Sequence, residues 1–310
     1  MHISITGGTG LVGARLSEFL IQKGHSVGIL TRSPQKYLDE ASKMRRYVSY
    51  DALDGEVRRS DAVVNLAGEN LFDQRWSDAV KQRLMRSRIS TTKAVVQAIV
   101  DAPEARRPKV LVSASAVGYY GSQGDTELTE AQPAGDDFLA KICVNWEAEA
   151  QKLYEESAAP GVRLAIPRIG IVIDPSGGAL EKMLTPFKMG VGGPLGSGAQ
   201  YFPWIHAEDV SRALYFAITE EKLDGAFNVC APNPVSMKAF ASELGRVMGR
   251  PSALAVPEFA LRLLVGEATS ALTASLRAVP QKLLDSGFSF EYPEVHQALT
   301  QLMNEEAGAE

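Results

Sequence analysis

The stretch "HISITGGTGLVG", residues 2–13, carries the most information about the fold. Its first half, "HISIT", is short, β-branched and flanked by glycine, which reads as a buried strand. Glycines follow at 7, 10 and 13, and "LVGARLSEFLIQKG" (11–24) has the apolar spacing of a helix that stops at Gly24. A glycine turn alone is a weak signal, but a strand before it and a helix after it supply its structural context. The first glycine permits the tight turn, the second lets backbone approach a pyrophosphate, and the third lets helix and strand pack closely. The helix start offers free N–H groups and a partial positive charge to phosphate. Gly7, Thr9, Gly10, Leu11, Val12 and Gly13 are therefore expected to hold a dinucleotide.

Outward from this turn, strand and helix patterns alternate. "SVGILTR" (26–32), "AVVNLAG" (62–68), "KVLVSASAV" (109–117) and "VRLAIPRIGIVI" (162–173) read as strands, with a long helical stretch around 76–102. Such alternation argues for an α/β fold, a Rossmann-type doubly wound parallel sheet, with a smaller, mainly helical C-terminal substrate lobe. The expected division is a dinucleotide-binding domain over 1–175, to which 204–232 returns. Residues 176–203 and 233–303 form the substrate lobe, and 304–310 a frayed tail.

The totals exclude several classes. The 310 residues are 45% hydrophobic and 22% charged, with a formal net charge of −5, which suits a globular protein and not a nucleic-acid binder. The basic runs "KMRR" (43–46), "RR" (58–59) and "ARRPK" (105–109) are scattered, lack interleaved aromatics and read as solvated faces. Two distant cysteines, Cys143 and Cys230, make neither a disulfide framework nor a ligand set. No signal peptide or membrane span is visible, so a cytoplasmic location without membrane contact is expected. His206 and Asp209 in "HAED" are too few to close a metal shell, so no metal is expected. The second strand ends in "LTRSP". An NAD-selective site usually has an acid here, whereas Thr31, Arg32 and Ser33 suit a 2′-phosphate, so NADP(H) is expected.

The chain resembles the extended, epimerase-like branch of the short-chain dehydrogenase/reductase superfamily. The resemblance rests on "GGTGLVG", "NLAG" (65–68), "SASAVGYYG" (113–121), "PRIG" (167–170) and "WIHAEDV" (204–210). More narrowly it is similar to the atypical epimerase-family proteins, through "NLAGEN" (65–70), "RW" (75–76), "GDDFLAK" (135–141) and "GGPLGSG" (192–198). "VPQKLLDSGFSFEYP" (279–293) resembles the domain of unknown function appended in that subfamily. The resemblance implies further cofactor contacts. Asp51 would lie near the adenine, and Asn65, Leu66, Ala67 and Gly68 beside the adenosine. Arg88 would reach a phosphate or else form a salt bridge on its helix surface. Arg168 of "PRIG" would stand on the cofactor side.

The same resemblance exposes a gap. Active members carry Tyr-x-x-x-Lys, with the phenol as acid or base and the ammonium tuning it. None of the nine tyrosines here has lysine four residues later. The stretch "DDFLAKICVNWEAEA" (136–150) reads as the helix in question. Counting back from Glu147 puts Cys143 at the lysine position and Leu139 at the tyrosine position. A shift of two brings in Lys141 but sets Asp137 opposite the tyrosine. Ser115, four residues before Tyr119, matches the family's catalytic serine or is a satisfied strand-end serine. Tyr119 or Tyr120, Glu130 and Asp136 are candidate acids, and Lys141 a replacement cation.

On the substrate side, the loop 190–204 and the helix before it would cover the ligand. Gln200 is followed by Tyr201, Phe202, Pro203 and Trp204, an aromatic wall where sugar-nucleotide enzymes often place an arginine. Lys182 and Lys188 are the nearby charges. A small, weakly charged substrate fits better than a sugar nucleotide. Two functions remain open. One is an NADP(H)-dependent oxidoreductase or epimerase on a small carbonyl or hydroxyl compound. The other is a non-catalytic NADP(H)-binding redox sensor or scaffold. The sequence leaves the oligomeric state open.

Overall fold

The computed structural model describes residues 1–309. The first half builds β1 (His2–Thr6), α1 (Leu11–Gln22), β2 (Ser26–Thr31), β3 (Arg45–Ser49), α2 (Leu53–Val57), β4 (Ala62–Asn65), α3 (Asp78–Val100), β5 (Val110–Ser113), β6 (Ser115–Ala116), β7 (Glu127–Leu128) and α4 (Phe138–Gln151). Next come β8 (Arg163–Ile169), β9 (Ile171–Asp174), α5 (Gly178–Lys188), β10 (Tyr201–Phe202), β11 (Trp204–His206), α6 (Ala207–Thr219) and β12 (Gly225–Val229). The last part holds β13 (Val235–Ser236), α7 (Met237–Met248), α8 (Glu258–Val265), α9 (Thr269–Thr273), β14 (Arg277–Ala278), α10 (Gln281–Asp285) and α11 (Val295–Ala309).

The main sheet runs β12-β8-β5-β4-β1-β2-β3, every pair parallel, with β6 against β8. This is the Rossmann-type doubly wound sheet. Its strands are buried on both faces, so Ile3 and Ile5 point one way and Ser4 and Thr6 the other, all without solvent exposure. One face is filled by Leu16, Leu20, Ala213 and Leu214 from α1 and α6. The other is filled by Val95 and Ile99 of α3 and by Ala150 and Leu153. A separate core, including Leu180, Phe187, Phe240, Leu244 and Leu299, lies in the mainly helical region.

One sequence expectation changes. The apolar run 162–173 is two strands, not one. The chain breaks at Gly170, whose N–H donates to the Val229 carbonyl while the Ile171 N–H donates to that of Pro203. A Cβ at Gly170 would lie 2.3 Å from the Pro203 oxygen, so only glycine lets the two segments pass. β9 thereby leaves the main sheet and pairs with β11. The expected frayed tail is helical as far as Ala309, within α11; residue 310 lies outside the described residues.

"HAED" fastens α6 to the C-terminal region. His206 Nε2 meets Gln301 Oε1 at 2.9 Å, and the Asp209 carboxylate accepts the backbone N–H groups of Glu291 and Tyr292, each at 2.9 Å. Among the described residues, no helix is long and apolar enough to cross a membrane.

Candidate functional site

The glycine loop joins β1 to α1, and its three glycines are constrained differently. Gly7 has φ +69°, and a Cβ there would sit 2.7 Å from the Leu66 carbonyl. At Gly13 a Cβ would meet the Gly7 oxygen at 2.4 Å and Gly8 Cα at 2.5 Å. Both are required by the fold itself. Gly10 is not: it caps α1 at φ −83°, and a Cβ would make a single contact, at 3.4 Å. The space above Gly10 is open, and the exposed Thr9 stands beside it. Leu11 packs on Gly177 and Gly178, joining α1 to the start of α5, while Val12 packs into the sheet core.

At the end of β2, Thr31 is buried and Arg32 exposed, and the Ser33 N–H donates to Thr31 Oγ1 at 3.4 Å. Tyr50 bridges this point and the glycine loop. Burial raises its pKa, against a hydrogen bond at Gly7 and the charge of Arg32. Sequence reasoning passed over Tyr50, though it directly precedes the expected Asp51. Asp51 itself is exposed and accepts from Ser49 Oγ at 3.0 Å.

The Asn65 side chain faces inward. Its Oδ1 accepts from Thr6 Oγ1 at 2.6 Å, and its Nδ2 donates to Thr92 at 2.8 Å and Ser113 at 3.2 Å. It ties β1, β4, β5 and α3 together, while the backbone of Leu66 and Ala67 lies against Gly7 and Gly68 lies over Arg88. Arg88 is no surface salt bridge. Its guanidinium donates to the carbonyls of Leu84 and Glu69, both at 3.0 Å, underlies Gly68 and stacks 5.3 Å from the Trp146 ring. Burial lowers its pKa.

The N-terminal half of α4 resolves the two possible registers. Asp137 caps the helix by accepting the Ala140 N–H at 2.8 Å. Leu139, Cys143 and Glu147, spaced by four, share the face toward Ser115 and Gly118. A Cβ on Gly118 would lie 3.4 Å from Leu139 Cβ, and Cys143 contacts Ala116 and Ser115. Burial, helped by Glu147, pushes the Cys143 thiol up to about 12, so it stays protonated. Lys141, the expected replacement cation, projects from the exposed face of α4, because it sits two residues from both Leu139 and Cys143.

Ser115 starts a buried chain of hydrogen bonds. Its Oγ donates to Glu147 Oε1 at 2.6 Å, and Arg168 clamps the same carboxylate through Nε at 2.8 Å and Nη2 at 2.9 Å. Arg168 Nη1 donates to the Tyr120 hydroxyl at 3.0 Å, which donates to Asn228 Oδ1 at 2.7 Å. Asn228 Nδ2 then donates to the carbonyls of Leu128 and Val279, at 3.0 and 2.8 Å. Burial pushes Tyr120 up to about 12. Burial alone would lower the Arg168 pKa, but the Glu147 hydrogen bonds outweigh it and raise it. Arg168, expected as a cofactor contact, is 4% exposed and is the cation of this network. Its guanidinium also lies 3.4 Å over the ring of half-buried Tyr119. Glu130 clamps backbone, accepting from the N–H of Asn228 and of Lys282, and Asp136 faces solvent.

A cleft of about 40 Å³ opens beside Gly118 and Leu139, walled by Trp76, Phe138 and Leu276 and rimmed by Asp137. Part of that wall, Ser270 to Leu276, comes from α9 and the segment after it, which no sequence pattern marked. The expected aromatic wall is mostly core instead: Trp204 is 1% exposed, and Phe202 packs on Phe240 at 4.6 Å. Gln200 turns back to the Leu195 carbonyl at 2.8 Å, and Lys188 pairs with Glu306 at 2.9 Å.

Known proteins resemble this chain over nearly its whole length. A protein of Arabidopsis thaliana described as a chloroplastic homolog of epimerase family protein SDR39U1 is 40% identical, over 98% of this chain and 87% of its own. Epimerase family protein YfhF of Bacillus subtilis is 37% identical over 98% of both chains. The crystal structure of human epimerase family protein SDR39U1 with NADPH superposes with a TM-score of 0.88 at 32% identity, covering 98% of this chain and 99% of that one. MoeE5 in complex with UDP-glucuronic acid and NAD shares the fold, with a TM-score of 0.78 at 19% identity over the full length of both. Residues 256–302 match a domain of unknown function, DUF1731. Residues 3–230 match the NAD dependent epimerase/dehydratase family, and the chain belongs to it.

Proposed function

We propose that this chain binds NADP(H) and transfers a hydride to or from a small, weakly charged carbonyl or hydroxyl compound. The observation that carries the cofactor is Gly10. The fold leaves room for a Cβ there, whereas a pyrophosphate approaching the start of α1 does not. Arg32, between Thr31 and Ser33, supplies the cation and hydroxyls that a 2′-phosphate needs. The human relative solved with NADPH supports the same choice.

Bound NADP(H) supplies or takes up the hydride. The side chains do the rest. The cleft beside Gly118 and Leu139 receives the reacting carbon, and Trp76, Phe138 and Leu276 exclude water from it. No cationic side chain lines that cleft among the described residues, which disfavours a diphosphate substrate. The Ser115 hydroxyl donates its hydrogen bond to Glu147, so its oxygen is left to accept. It therefore holds a substrate hydroxyl. Proton transfer runs through Tyr119 or a water molecule.

One observation favours a second reading. Leu139 and Cys143 occupy the face where an active relative would present its tyrosine and lysine, and neither transfers a proton at neutral pH. A non-catalytic NADP(H)-binding sensor or scaffold would keep the glycine loop and tolerate that loss. Fluorescence titration with NADPH, NADP⁺ and NADH, then a carbonyl panel added to the NADPH-loaded protein, separates the readings. NADPH consumption that falls in Ser115→Ala supports hydride transfer. Tight binding of one NADP redox form with no consumption supports the sensor. Absence of binding to all three nucleotides removes both.

A further inference from the structure

The basic runs 43–46 and 58–59 converge in space at the end of the sheet opposite the glycine loop, where β1, β2 and β3 begin. Lys43, Arg46 and Arg59 surround a depression of about 210 Å³ whose wall includes His2 and Ser26. Among the described residues lining it, none is acidic. Beneath them lies Glu56, its side chain 1% exposed.

Glu56 cannot neutralise all three cations. Its Oε1 already meets His2 Nε2 at 2.7 Å and Ser4 Oγ at 3.4 Å. Its carboxylate is wedged against Gly28, where a Cβ would lie 1.9 Å from Oε1. Its Oε2 stands 3.9 Å from Arg46 and 3.7 Å from Arg59, beyond hydrogen-bonding distance of both. Burial pushes the Glu56 pKa up, but His2, Arg46 and Arg59 outweigh it and lower it, so the group is ionised. Glu56 thus sits as one fixed negative charge below three positive ones, Asp61 adds a second carboxylate at the His2 backbone N–H, 2.7 Å away, and the Arg46 and Arg59 side chains are about half exposed, at 50% and 51%.

We propose that this depression is a second anion site, separate from the glycine loop, that takes a compact phosphate-type polyanion such as a diphosphate group. Guanidinium forks match phosphoryl oxygens, and Lys43 adds a point charge.

Calorimetric titration of the full chain with inorganic pyrophosphate, at ionic strength fixed by sodium chloride, tests this. The variants are Arg46→Gln/Arg59→Gln, Lys43→Gln and, at the glycine-loop end of the sheet, Arg32→Gln. Saturable binding is expected, weakened at least tenfold in the double variant and several-fold in Lys43→Gln, and retained in Arg32→Gln. Lys43→Gln leaves the Glu56 contacts described above in place, so it decides the matter should the double variant fail to fold. Equal binding in the wild type, the double variant and Lys43→Gln overturns the proposal. So does weakening confined to Arg32→Gln, or heat no greater than that of added chloride.

Discussion

Glu147→Gln keeps the shape of a side chain at the centre of the buried network and removes its charge. In the wild type the carboxylate accepts from Arg168 Nε and Nη2 and from Ser115 Oγ, at 2.8, 2.9 and 2.6 Å. Both charged side chains of the pair are 5% exposed, so water cannot replace the lost partner. Removing one member of a buried pair costs about 3–5 kcal/mol, because the other charge is stranded. For 310 residues at about 2.1 cal/mol/K each, the unfolding entropy is about 0.65 kcal/mol/K. The melting temperature should therefore fall by about 5–8 °C. Scanning calorimetry on the variant measures it directly. The companion double variant Glu147→Leu/Arg168→Met replaces both charges with apolar groups and should recover at least half of the loss. A shift below about 1 °C for Glu147→Gln, or a double variant worse than the sum of its singles, would refute the claim that this pair is mutually dependent.

Three other outcomes follow. Gly10→Ala should fold with stability within about 0.5 kcal/mol of wild type, yet weaken NADPH in a fluorescence titration. Gly13→Ala, with a Cβ 2.4 Å from the Gly7 oxygen, should yield little folded protein on expression. Arg32→Ala should weaken NADPH by about tenfold or more, from the loss of a charged hydrogen bond worth about 1.5–3 kcal/mol, and leave NADH unchanged. The pH dependence follows from His206, whose pKa is lowered from 6.5, chiefly by burial and against its bond to Gln301. The neutral ring is the folded form, so its contribution is complete above pH 6.5 and is lost as pH falls through the lowered value. Denaturant midpoints measured from pH 7.5 to 5 should decline for the wild type and less steeply for His206→Gln. His25, also lowered, accounts for part of the remaining slope.

The parallel sheet was legible in the sequence because its determinants are local. The strand run 2–6, the glycines after it and the helix spacing of Leu16 and Leu20 are neighbours in the chain. The break at Gly170 was not legible, since it depends on Pro203 and Val229 approaching from elsewhere. Spacing by four on α4 gave two possible faces, and only packing against Ser115 and Gly118 distinguishes Leu139 and Cys143 from Lys141. Partners of the buried network are separated by 21 to 108 residues, beyond any periodic signal. The run Tyr201–Trp204 shows the reverse hazard. Its aromatics suggested a ligand wall, but Phe202 and Trp204 are buried in the helical core.

The bond from Asn228 to the Val279 carbonyl has a consequence for modularity. Val279 belongs to the segment matched by the domain of unknown function, yet it ends a chain of polar contacts that begins at Ser115. A protein truncated before that segment would leave the Asn228 amide one acceptor short and would take away Leu276 from the cleft wall. The appended region is therefore no detachable passenger on a self-sufficient nucleotide-binding half. The two parts share one interior, and a graft of either onto a foreign partner would have to rebuild that seam atom by atom.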